Sequence, residues 1–537
     1  MTLLNITNME KKGSGNCKYT ENVTNVTNVT RRRFITSCSA CAACFALKPM
    51  SFIDPAASRT DNAGKMRIKI VYSLHGPVQT QPDWPNVGFD FNPVMEKINN
   101  TLKNSFQDIE FIPVLATGPE DAEKIIEGDS NENIDGYLVY QMNCWNRVVQ
   151  TIAKTGKPVL YADFQYAGSG GFLVYTASFL SSKTPNVGFV ASSRMDDLIA
   201  AAGCFKMAVN GGSVADFVKA TAKARLDATP PAGHFVLRPN RIKCLSPADS
   251  IKQLKNSKII AVRDQNARIA DPVMGIPVEY IPFAEVNDAW SKADKDEAAA
   301  IAQKWQRTAS EVIGVPFDTL TTSAAMYIGM KSVLKSHGAE AITINCLGGY
   351  YGGHIHAYPC LGFYELCNEG LVGACECDIN STATMLAFST ITGGRPGFIS
   401  DPVIDTSKRQ IIYAHCVAPS KMFGTDGNTN PIRIMTHSED RNGASVQSIL
   451  PSRYLTTTLE INNDRKEILF HQAVAVGNDP DDRACRTKLC AEPMGDIEKL
   501  FTMWDRWGWH RVTFYGDLRE PVFALADAMG WKVTEEA

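Results

Sequence analysis

The chain has 537 residues, 44% of them hydrophobic, and its 54 Lys and Arg nearly balance 57 Asp and Glu, leaving a formal charge of -3. That composition excludes a disordered or fibrous protein, and it carries no basic stripe with interleaved aromatics of the kind nucleic-acid binding needs. A length of this order suits about three domains, and the class is a globular enzyme or binder of small polar ligands.

The first 65 residues differ in kind from the rest. Thr30–Thr36 reads TRRRFIT and is followed by SCSACAACFAL, a weakly apolar run too short to span a bilayer, and by small residues around Pro55-Ala56-Ala57. Arginines ahead of Phe34 and Ile35 make this segment similar to a twin-arginine export signal. The expectation is a removable leader over 1–65, a periplasmic or extracellular protein and no stable membrane insertion. Upstream, NVTNVTNVT from Asn22 reads as low complexity, and Cys38, Cys41 and Cys44 lie too deep in the leader to hold a cluster. Four of the fifteen cysteines precede Pro55, whereas Cys204, Cys346 and Cys416 fall in apolar runs and are expected as small buried hydrophobes. Cys485 and Cys490 are candidates to pair.

From Met66 the segments alternate between strand-like and helix-like: MRIKIVYS, FNPVMEKINNTL, DIEFIPVLA, EDAEKIIEG, IDGYLVYQM, WNRVVQTIAK, KPVLYADF and NVGFVAS. Such alternation predicts βαβ units and a parallel sheet, here an N-terminal α/β domain over 66–212. Its strand ends carry polar loops at His75, Gln141, Asn143 and the AGSGG from Ala167, where ligands of open sheets gather. A second α/β domain follows over 213–395, with strands at SKIIAVRD, VEYIPF and AITINCL. Over 396–537 short strands separated by turns take over, including KRQIIYAHCVA, RYLTTTLEIN and KEILFHQAVAVG. The fold class is therefore α/β, two doubly wound Rossmann-like domains and then a β-rich, barrel-like C-terminal domain.

Within this frame Glu376 stands out. It lies between Cys375 and Cys377 at the end of LVGACEC, which reads as a buried strand, so alternation sends the cysteines one way and the acid the other, toward a cavity. A charge there needs a partner. A divalent cation shared with Asp401, after the apolar run GFIS, compensates both acids, while Asp378 is expected to cap the helix NSTATMLAFSTI. Among the histidines, His415 ends an apolar strand and is expected to line the pocket, and His354 and His356 share a face, which makes His356 a candidate for touching substrate. His234 and His337 fall near turns, His437 opens a polar loop, and His510 stands where a helix meets the strand RVTFYGD.

Two long segments carry a family resemblance. The run YPCLGFYELCNEGLVGACECDINSTATMLAFSTITGGRPGFISDP resembles the metal-site segment of the L-fucose isomerase and L-arabinose isomerase superfamily, in particular its fucose isomerase-like branch. GDIEKLFTMWDRWGWHRVTFYGDLREPVFALADAMGWKV resembles the closing segment of the same family. The resemblance implies Glu376, Asp401 and His510 as ligands of a divalent metal, manganese before magnesium or cobalt, and a homo-oligomer in which Trp84 or Gln141 reaches a neighbouring pocket. It also implies an aldose-ketose isomerase that moves a carbonyl between C1 and C2 of an L-fucose-like or L-arabinose-like sugar through an ene-diol, with Glu376 and Asp401 exchanging the protons. The alternative expectation is an exported carbohydrate binder, or a non-isomerase relative that reuses the same metal pocket.

Overall fold

The computed structural model describes residues 64–209, 211–263 and 266–537. The leader with Arg31, Arg32 and Arg33, and the export signal expected there, lie outside the described residues. The first body is built on β1 (Met66–Ser73), β2 (Ile109–Ala116), β3 (Gly136–Gln141), β4 (Val159–Asp163) and β5 (Val187–Val190), ordered β2-β1-β3-β4-β5 and parallel throughout. Alternate residues of one strand feed two separate cores. Tyr137 and Val139 pack with Val148, Ile152 and Phe172, while Leu138 and Tyr140 pack with Met95, Ile98 and Leu198. Helices therefore cover both faces, as fully apolar parallel strands require. The helix Val214–Ala228 opens on a capping box between Ser213 and Asp216 and seats Phe217 in the second of these cores, so this body continues past residue 212.

The second sheet is built from β6 (Ile259–Arg263), β7 (Arg268–Val273), β8 (Ile276–Pro282), β10 (Ala341–Ile344) and β11 (Val372–Ala374), with β9 (Glu311–Ile313) standing apart. Its order is β11-β10-β6-β8-β7, parallel except for the β7–β8 hairpin. Val273 faces Ile276 across a two-residue turn whose Met274 and Gly275 both take positive φ, 55° and 81°. Such a turn matches the twist of an antiparallel pair, and it places an antiparallel edge on what the sequence predicts as a parallel sheet.

The C-terminal region adds β12 (Phe398–Asp405), β13 (Gln410–His415), β14 (Ile432–Met435), β15 (Ser445–Ser448), β16 (Leu455–Asn462), β17 (Glu467–Asn478), β18 (Thr487–Pro493), β19 (Arg511–Tyr515) and β20 (Lys532–Glu535). Six antiparallel strands run β16-β19-β12-β13-β18-β17, and the pairing of β16 with β17 closes them into a barrel. Closure removes the exposed edges that a six-stranded open sheet would carry. β20 lies parallel to β17 outside the ring, and β14 and β15 join β9 in a small separate sheet.

Hydrogen bonds between strands that are not neighbours cross the barrel interior. Tyr413 on β13 is bonded to His471 on β17 (2.6 Å) and accepts from Thr458 on β16 (3.0 Å), and His471 is bonded in turn to Glu536 (2.8 Å). Arg511, fully buried, donates to Glu536 (2.7 Å) and to the carbonyl of His510 (2.8 Å). The barrel core thus grips the segment that carries His510.

Among the described residues no helix is long and apolar enough to cross a membrane. The eleven described cysteines are free thiols, all but Cys204 buried. Cys485 and Cys490, expected as a possible pair, are therefore not joined; both are packed as small hydrophobes.

Candidate metal centre

Four residues expected separately meet at one point. Single ligand atoms of Glu376, Asp401, His415 and His510 all lie within 4.8 Å of one another, a set that can hold a metal ion. Three come from adjacent barrel strands. Asp401 on β12 pairs with Ala414 on β13, one residue before His415, and its neighbour Ser400 pairs with Arg511 on β19, one residue after His510. Glu376 arrives from the second sheet, just past the C-terminal end of β11, where ligands of parallel sheets collect. The centre is a junction of a sheet edge and a barrel rim.

The local geometry at Glu376 differs from the strand expected. β11 stops at Ala374, and Glu376 and Cys377 both adopt left-handed backbone, φ 63° and 53°. Cys375 and Glu376 therefore line the same cavity instead of facing opposite ways. Left-handed conformation costs a non-glycine residue about 1–3 kcal/mol and persists where surrounding structure imposes it. Here the Cys377 amide donates to Ile344 at the end of β10 (3.0 Å), and Asp378 caps the next helix, accepting from the Ser381 amide (3.0 Å).

Asp378 does more than the expected capping. His510 Nδ1 lies 2.8 Å from its carboxylate, and this hydrogen bond fixes the imidazole tautomer so that Nε2 turns toward the cluster. Nε2 then stands 3.1 Å from Asp401 Oδ1 and 3.5 Å from Glu376 Oε2. A neutral ring so oriented points a lone pair at two carboxylates, an arrangement that calls for a cation or proton between them. Two buried atoms point the same way: His415 Nε2 has no hydrogen-bond partner, and Asp401 Oδ1 has only the His510 ring nitrogen beside it. Burial pulls the His510 imidazolium down in pKa, but Glu376, Asp401 and the Asp378 hydrogen bond outweigh it and hold it well above the usual histidine range. Burial likewise raises the Glu376 carboxyl, and His510 and then His415 overcome that and bring it below the usual range. The residues fit a divalent cation held by two carboxylates and imidazole nitrogen.

The centre opens into a cavity of about 310 Å³. Trp84, from the first body, forms part of the wall within this same chain and packs edge-on to Trp509, 5.2 Å between ring centres. Trp509 donates from Nε1 to the Pro402 carbonyl (3.0 Å), which fixes it beside Asp401. A Cβ at Gly170 would come within 2.8 Å of the Trp509 ring, so the glycines of AGSGG serve close packing as well as the turn expected of them. Asp83 and Glu439 also face the cavity. Burial pushes both carboxyls above the usual range, against the Asp83 hydrogen bond to His75 (2.9 Å) and the one Glu439 accepts from Tyr351 (2.9 Å).

Several expected site residues fall elsewhere. His415, expected against substrate, sits in the ligand cluster itself. His356 does not line the cavity: it is exposed and leans on Trp290, 5.7 Å between rings, because the segment after Tyr351 turns through Gly352 and Gly353 instead of running extended. Gln141 is fully buried between Tyr161 and Asn143 and does not reach the cavity. His437, expected in a polar loop, is buried at the cavity wall and stacks on Tyr358 (4.9 Å). Nothing in HSEDRNGAS distinguished it from a solvated loop. His337, at a helix end, is half-buried, and its two ring nitrogens contact Glu279 (3.1 Å) and Glu285 (2.6 Å).

No protein-family model matches the chain. It is similar to a sulfoquinovose isomerase of Clostridium sp. (strain MSTE9), 21% identical over 262 residues, which covers 48% of this chain and 57% of that protein. Sulfoquinovose isomerases of Priestia aryabhattai and Priestia megaterium (strain ATCC 12872 / QMB1551) are each 27% identical over 123 residues, 22% of this chain and 27% of theirs. The chain thus matches little more than half the length of the first relative and about a quarter of the others. Among solved structures, the transcription regulator CcpA of Lactococcus lactis aligns at 10% identity and a TM-score of 0.16 over 54% of this chain and 83% of that one, too slight a likeness to bear on the fold.

Proposed function

We propose that this chain is a metal-dependent aldose-ketose isomerase, moving a carbonyl between C1 and C2 of an open-chain sugar through an ene-diol. The observation that carries the reading is the meeting of Glu376, Asp401, His415 and His510 at one cavity, with His415 Nε2 buried and left without a partner. The similarity to sulfoquinovose isomerases supports it. Those four side chains would hold the ion, and a bound divalent ion supplies positive charge beside the two sugar oxygens.

The rest is the work of side chains. Carbonyl migration needs one group to take the proton from C2 and a group to return it at C1, and a carboxylate suits either task when its charge is balanced locally. Glu376 and Asp401 are assigned these roles. Asp378 keeps His510 in one tautomer, and the Arg511 bond to the His510 carbonyl keeps its backbone in place. Trp84 and Trp509 shield the reacting carbons from bulk water, which slows proton loss to solvent. Export by the twin-arginine route and assembly into a homo-oligomer belong to the same proposal; the first rests on TRRRFIT and the second on the family resemblance.

The test is a panel of pentoses, 6-deoxyhexoses and hexoses offered to the purified full chain loaded with Mn²⁺. At least one aldose is expected to yield its ketose, with activity lost on chelation and restored by the metal. Isomerisation that survives complete chelation would overturn metal dependence, and a metal-loaded protein that isomerises nothing would overturn the function.

A further inference from the structure

The relatives are sulfoquinovose isomerases by name, and sulfoquinovose bears a sulfonate, a fixed negative charge at the end of the sugar away from C1 and C2. Among the described residues that line the cavity there is no lysine and no arginine. The walls beyond the metal ligands include aromatic rings, the imidazole of His437, thiols such as Cys144, Cys346 and Cys360, and two further acids, Asp83 and Glu439. The arginines on flanking loops are engaged elsewhere. Arg486 donates to the Thr436 carbonyl (2.8 Å) and forms an ion pair with Asp482 (2.5 Å), and Arg441 donates to Asn86 (2.5 Å) and also pairs with Asp482 (2.8 Å).

Beyond the metal ligands, an anionic sugar entering this cavity would find aromatic and sulfur surfaces and carboxyl groups, and no lysine or arginine to replace the water it loses. Carboxyl oxygens instead accept hydrogen bonds from hydroxyls, while the thiols and rings suit the carbon faces of a sugar. The two acids are also anchored. Asp83 accepts from its neighbour Trp84's amide (2.7 Å) and contacts His75, and the Glu439 carbonyl accepts from the Val87 amide (2.7 Å), which binds the loop of Glu439 to that of Asp83.

Resting on the isomerase reading above, we infer that Asp83 and Glu439 set the substrate's charge, so that the cavity admits uncharged aldoses and excludes sugars with a sulfonate or another fixed negative group at the distal carbon. A sulfonate in these surroundings keeps its charge at any working pH, with no lysine or arginine on the wall to pair with it.

The experiment compares kcat/KM for sulfoquinovose and for neutral aldoses on the Mn²⁺-loaded full chain, in the wild type and in Glu439→Gln and Asp83→Asn. The best neutral aldose is expected to exceed sulfoquinovose at least tenfold, and each substitution is expected to narrow that ratio at least threefold. Sulfoquinovose turned over as well as the best neutral sugar would overturn the inference while leaving the isomerase reading standing; a wild-type preference untouched by either substitution would overturn the assignment to these two residues. If no sugar is isomerised, the isomerase reading falls, and quenching of tryptophan fluorescence by a neutral hexitol against its sulfonated counterpart still decides the charge question. Tighter binding of the neutral compound supports the inference, and equal or tighter binding of the sulfonated one overturns it.

Discussion

Glu376→Gln is expected to lower turnover by about 10²–10⁴-fold with metal present in excess, the range set by loss of one positioned acid-base group. Glutamine keeps the shape of the side chain and can still offer an oxygen, but it neither ionises nor carries the proton between carbons. The fold should survive. Glu376 occupies a left-handed turn held by the Cys377 amide and the Asp378 cap, and neither contact involves its side chain. Because, against burial, His510 and then His415 hold the Glu376 carboxyl below its usual range in the folded protein, the metal-free variant should melt only slightly lower than the wild type. The measurements are kcat at saturating aldose and metal, and a thermal melt by circular dichroism. Full turnover in the variant would remove Glu376 from the chemistry, and a large drop in melting temperature would make its role structural.

The largest effect on stability is expected at Glu536. Its carboxylate is fully buried, bonded to Arg511 (2.7 Å) and His471 (2.8 Å), and burial, which would raise its pKa, is outweighed by Arg511 and then His471, which bring it down to about 2. Glu536→Gln leaves the Arg511 guanidinium buried without its counter-charge, and breaking such a pair from one side costs about 3–5 kcal/mol. The pH dependence has a definite sign. A folded pKa of about 2 below the ordinary 4.5 means that this carboxylate's stabilisation is fully present above pH 4.5 and is lost as pH falls toward 2, an effect of about 3 kcal/mol. Urea melts of wild type and variant between pH 3 and 7 should converge as the pH falls. Parallel curves would show that the charge of Glu536 does not stabilise the barrel. Because Arg511 also holds the His510 carbonyl, the variant should lose metal affinity along with stability.

Much of this was legible in the residues because local chemistry and tertiary placement agree. The five strands of the first sheet fall in the runs read as strands, since the inner strands of a parallel sheet are covered on both faces and their residues are mostly apolar. Asp378 caps the helix Ile379–Ile391 as a carboxylate before a helical run should. Other features depend on contacts that no local pattern carries. The barrel's closure rests on the pairing of β16 with β17 and on β18, whose sequence TKLCAEP gives a weak strand signal. The β7–β8 hairpin turns on Met274-Gly275, a pair without the usual asparagine or aspartate.

At the centre, the acids were legible because a lone carboxylate in an apolar run demands a reason. His510 was named through resemblance, and the structure adds the Asp378 contact that orients it. His415 entered the ligand cluster by strand register, one residue beyond the partner of Asp401, and register is set by pairing rather than by sequence period. His356 failed for the reverse reason: two histidines two apart share a face only in an extended chain, and the chain there is a helix end and a glycine turn.

The proposed chemistry depends on one divalent ion bound where β11 meets the barrel rim. Crystals of the full chain grown with Mn²⁺ and examined by anomalous diffraction at the manganese edge test this most directly. A single strong peak is expected within about 2.0–2.5 Å of donor atoms from Glu376, Asp401, His510 and His415. A protein that binds manganese with its peak elsewhere, or no peak among these four side chains at saturating metal, would contradict it.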